Sequence, residues 1–67
     1  MNLVEGLTSE ILRVTEISRI YNELPGNAGT FAATLMKKSI EKAREAQAYG
    51  DIVEMIASFN ELKEYES

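Results

Sequence analysis

Residues 24–38 read LPGNAGTFAATLMKK, and the fold turns on how this stretch is read. A residue before proline is pushed out of the helical region, so Leu24-Pro25 predicts that a helix arriving from the N-terminal side ends near Glu23. Gly26 and Gly29 bracket Asn27 in a short turn. From Ala28 onward, small and apolar residues return at helical spacing. One helix ends and the next begins within a few residues, a connection short enough to force antiparallel neighbours.

On the N-terminal side, Leu7, Ile11, Val14, Ile17, Tyr21 and Leu24 recur at three- and four-residue steps, the stripe of an amphipathic helix over about 3–23. Asn2 with Glu5 reads as a capping box, while Thr8 and Ser9 are alternative caps and Gly6 weakens a helix running through it. On the other side, a helix over about 28–49, starting at Asn27 or Thr30, gathers Ala28, Ala32, Leu35, Met36, Ser39, Ile40, Ala43 and Ala46 on one arc. Most of these are small, so a neighbouring backbone can come close. Gly50 suits a left-handed helix cap, and Asp51 with Glu54 opens a third helix over about 51–64. Its apolar face is Ile52, Val53, Met55, Ile56, Phe59 and Leu62, with Glu54, Glu61 and Glu64 behind and Tyr65 in a fraying tail. No period-two alternation bounded by turn residues occurs, so the expected class is all-α, three helices in two antiparallel hairpins.

A chain of 67 residues buries too little surface to be comfortably stable alone. Small domains add disulfides, a metal or another copy of themselves, and with no Cys and no His the first two are closed. Packing into a homo-oligomer, a dimer or higher, is the remaining expectation. The absence of Cys fits a reducing, cytoplasmic compartment, no segment reaches the roughly 20 apolar residues of a membrane span, and MNLVEGLTSEILRV carries no basic leader. A net charge of −4 argues against direct nucleic-acid binding and against an anionic membrane. The charge is unevenly placed. Four bases and two acids lie between Lys37 and Glu45, whereas five acids and one base follow from Asp51 on.

Without His or Cys, the commonest acid-base group and the thiol nucleophile are missing, and no imidazole is present to activate a serine. The expectation is a non-enzymatic protein with no cofactor. Glu41 and Glu45 lie one turn apart, but a carboxylate-bundle metal site also wants a Glu-x-x-His element, so no metal is expected. The corner itself has a second use. A helix N-terminus presents unpartnered N–H groups, two glycines allow close approach, and hydroxyls and ammonium groups follow, which together suit a phosphate. Gly26, Asn27, Gly29, Thr30, Thr34, Lys37 and Lys38 are the candidate ligand residues. The spacing is not that of a P-loop, and turn chemistry alone accounts for Pro25, Gly26, Asn27 and Gly29. Phe31, at the edge of its helix's arc, is the first candidate interface residue, with Leu35, Ile40, Phe59 and Tyr65.

The Leu-Pro turn, the small-residue helix start and the AATLMKKSIEKA stretch resemble short helical proteins encoded by phages, and in layout are similar to phage sponge proteins that bind cyclic oligonucleotide signals. The resemblance covers about residues 17–47. It implies a compact homo-oligomer in the host cytoplasm that sequesters a nucleotide second messenger or blocks a host immune protein without chemistry, with Thr30, Thr34 and Lys38 carried over to the ligand. The third helix at Asp51 and the low positive charge depart from that pattern.

Overall fold

The computed structural model describes residues 2–66. Three helices, α1 (Leu3–Asn22), α2 (Thr30–Tyr49) and α3 (Ile52–Lys63), pack pairwise against one another, and no strand occurs among the described residues. The all-α expectation and the two short corners hold.

Local chemistry explains the ends. Asn2 Oδ1 accepts the Glu5 N–H at 2.9 Å while Asn2 Nδ2 donates to the Glu5 carboxylate at 2.8 Å, so the capping box sets the start of α1 and the helix continues through Gly6 and past Thr8 and Ser9. Gly50 takes φ +67°, and Asp51 Oδ1 accepts the Glu54 N–H at 3.1 Å. The second helix begins at Thr30, the later of the two expected starts, rather than at Asn27. Residues 26–29 form a turn, Thr30 N–H bonds to the Asn27 carbonyl at 3.3 Å, and Gly29 is the N-cap with no side chain capping it. The cause is steric. A Cβ at Gly29 would lie 2.0 Å from the Tyr21 carbonyl oxygen, so the chain passes directly against the end of α1 before a helix can begin.

Leu7, Ile11, Val14 and Ile17 from α1, Met36, Ile40, Ala43 and Ala46 from α2, and Met55 and Leu62 from α3 form the core. Ala28, expected on the buried arc of α2, lies exposed in the turn before the helix, and Ala33 at the edge of that arc is buried. At about 1.5 Å per residue the 20-residue α1 and α2 run about 30 Å, and the 12-residue α3 about 18 Å. All three are level at the α2–α3 corner, so α3 ends beside the middle of α1 and the α1–α2 hairpin continues beyond it. The result is elongated, 38 × 19 × 16 Å.

The tail does not fray at Tyr65. That ring packs against the core, its hydroxyl is 2.9 Å from Ser39 Oγ, and Arg13 donates to the carbonyls of Leu62 and Tyr65, both at 2.8 Å.

Candidate functional site

The candidate ligand residues fall into three groups. Gly26, Asn27 and Gly29 form the turn: Gly26 has φ +64° in open space, which favours glycine, and Gly29 is consumed by its contact with Tyr21. Thr30, Thr34 and Lys37 follow at four- and three-residue steps along one side of α2. Lys38 is a hundred degrees further round, in a surface depression with Glu41, Lys42, Arg44 and Glu45, and does not join them.

Thr34 and Lys37 do meet partners from α1. With Ser18, Asn22 and Ala33 they line an open depression of about 250 Å³ between the two helices. Ser18 and Asn22, one turn apart on the polar side of α1, carry no motif that sequence alone distinguishes from an ordinary solvated face. The hydroxyls in this depression already have work: Thr34 Oγ1 donates to the Thr30 carbonyl at 2.9 Å and Ser18 Oγ to the Thr15 carbonyl at 2.8 Å. The donors left for an anion are the Lys37 ammonium and the Asn22 amide. The first turn of α2 contains no acidic residue to compete with one.

The candidate interface residues divide as well. Ile40 is 6% exposed and belongs to the core. Phe59 is half-buried with Lys63 Nζ 5.3 Å from its ring centroid, and Tyr65 is held by Ser39. Phe31, by contrast, is 77% exposed, and Leu35, one turn on, is exposed beside it.

What sequence reasoning missed lies between helices. Lys42 pairs across to Glu61 of α3 at 3.5 Å rather than within its own helix. Arg13 reaches both Glu10 and the end of α3. Spacing shows neighbours on one helix and gives no sign of which helix lies opposite.

Eight of the exposed large apolar side chains gather at the two ends, while Leu12 is exposed midway along α1 and Val4 in its first turn. At the hairpin tip are Ile20, Leu24, Phe31 and Leu35; at the α2–α3 corner are Tyr49, Ile52 and Val53, with Ile56 a turn further along α3. No helix is long and apolar enough to cross a membrane among the described residues. Comparison with known proteins finds no matching family model, no matching curated protein and no matching solved structure.

Proposed function

We propose that this chain is a non-enzymatic helical protein that acts by binding, assembling with copies of itself and using the assembled surface to hold a protein partner. The observation that carries this is the exposure of Phe31, Tyr49 and Val53 at 77, 85 and 74%, in a chain with few large apolar residues to spare. Clustered exposure of this kind marks interaction surfaces. The overall dimensions agree. The accessible surface is 4624 Å², against about 4,250 Å² for a compact monomer of this mass, and the radius of gyration is 12.2 Å, against about 11 Å.

Capture of a host factor, as phage accessory proteins perform it, is the part of the proposal that rests on the resemblance of residues 17–47 alone. Sedimentation and pull-down from bacterial lysate test the two parts separately. A folded monomer removes the first, and recovery of no partner by wild-type protein in its assembled form removes the second.

A second reading is favoured by one observation, the depression between α1 and α2 that joins Lys37 and Asn22. It would hold the phosphate of a nucleotide. A thermal-shift panel of cyclic and linear nucleotides tests it: a ligand at a hundred times its Kd stabilises by about 2.7 kcal/mol. That shift should vanish in Lys37→Glu, and no shift with wild type ends this reading.

A further inference from the structure

We propose that the chain assembles head to tail, the α2–α3 corner of one copy seating on the bare hairpin tip of the next; this rests on, and makes specific, the self-assembly proposed above. The tip is bare because α3 is eight residues shorter than the helices it packs on. Along α1, Arg13 bonds to the end of α3, and Ile20, seven residues later on the same face, is exposed. Along α2, Lys42 and Ser39 bond to Glu61 and Tyr65. Leu35 and Phe31, the next two positions of that face toward the tip, are exposed. The face that meets α3 thus continues as an apolar surface with nothing over it but the short tail, whose Glu66 carbonyl approaches the Tyr21 hydroxyl at 3.5 Å.

A second copy is the occupant because the other end of the molecule complements this one. The corner presents Tyr49, Ile52 and Val53 with Asp51 and Glu54 at its edge, and an open depression of about 380 Å³ there is lined by Tyr49 and three acids, Glu45, Asp51 and Glu54, with Lys42, which is paired to Glu61, and Ala46. Lys38, seven residues on from Phe31 and three from Leu35, lies on their side of α2, and neither it nor Glu54 belongs to an ion pair among the described residues. Apolar side chains edged by an ammonium group at one end face apolar side chains edged by carboxylates at the other. Opposite charge across such a contact steers association and fixes its register. An isologous tip-to-tip pairing would instead bring Lys38 toward its own copy. Contacts between different surfaces propagate into a ring or an open filament rather than stopping at two.

The test uses two variants at exposed positions. Phe31→Asp disables the tip, and an acid in the first turn of α2 suits the helix dipole, so folding is retained. Val53→Lys disables the corner. Wild type should show a mass above twice 7.5 kDa that rises with concentration and falls with added salt. Each variant alone should be a helical monomer by circular dichroism and sedimentation. Mixed in equal amounts they should form a dimer of doubled mass, since one still offers a tip and the other a corner. A mixture that stays monomeric while wild type assembles overturns the head-to-tail contact and leaves self-assembly standing, as does either variant keeping the wild-type mass. A monomeric wild type overturns both.

Discussion

Arg13 Nη2 donates to the Leu62 carbonyl oxygen at 2.8 Å, across 49 positions of sequence. The last carbonyls of a helix have no partner within it, and this guanidinium supplies one while placing positive charge at the negative end of α3. Glu10, bonded to the same guanidinium, holds it in place. One side chain of α1 therefore ties the end of α3, whose Leu62 carbonyl also accepts the Tyr65 N–H at 3.1 Å, to the middle of α1.

Arg13→Ala should lower stability by about 1 kcal/mol, the charged hydrogen bonds being discounted because the side chain is 39% exposed. Urea unfolding reads this as a lower midpoint at unchanged slope. A midpoint equal to wild type would show that α3 needs no such cap.

Tyr65→Phe removes the partner of Ser39, which is 5% exposed, and should cost about 1 kcal/mol because a buried hydroxyl is left unmet. Ser39→Ala made in addition should cost little more, since the orphaned group is then gone. A double-mutant cycle that is strictly additive would mean the two hydroxyls act independently.

Gly29→Ala and Gly26→Ala separate two reasons for a glycine. At Gly29 a methyl group meets the Tyr21 backbone, which cannot move without shifting the end of α1, and a loss of about 2–3 kcal/mol is expected. At Gly26 there is room, and only the positive φ is strained, for a loss of about 1 kcal/mol. Thermal unfolding of both should rank Gly29→Ala as the less stable; the reverse order would contradict the close contact at the corner.

Glu16 is held below the ordinary carboxylate range by its hydrogen bond from Arg19, with the charge of Arg19 acting in the same direction. A depressed pKa contributes stability above the unfolded value, about pH 4.3, and loses it as pH falls through the folded one. The thermal midpoints of wild type and Glu16→Gln should therefore differ at pH 6 and low salt, and the difference should shrink as pH falls below about 4.3. Both partners are exposed, so added salt should shrink the difference at pH 6. A gap that neither acid nor salt reduces would assign the effect to something other than this ion pair.

The helices were legible because their punctuation is local: Asp51 with Glu54, Gly50 and Leu24-Pro25 each act within a few residues, and so does Asn2 with Glu5, although Thr8 and Ser9 left the start of α1 open until the structure placed it at Asn2. The start of α2 was legible only as a choice between Asn27 and Thr30, since deciding it depends on Gly29 meeting Tyr21 eight residues earlier in three dimensions. Periodicity likewise placed Ile52, Val53 and Ile56 on the apolar face of α3 with Met55 and Leu62, yet only the last two are buried. A helix of this width turns one side to its neighbours, and its sequence does not say that the neighbours are too few to cover the rest. Of the candidate ligand residues, Thr34 and Lys37 came together as their spacing allows, whereas Ser18 and Asn22 entered only once α1 lay beside α2.

The most direct test of the account is sedimentation equilibrium of the wild-type protein from micromolar to submillimolar concentration at low salt. Self-assembly through exposed apolar ends predicts a weight-average mass that exceeds 7.5 kDa and grows with concentration. A folded species that stays at 7.5 kDa throughout would contradict it.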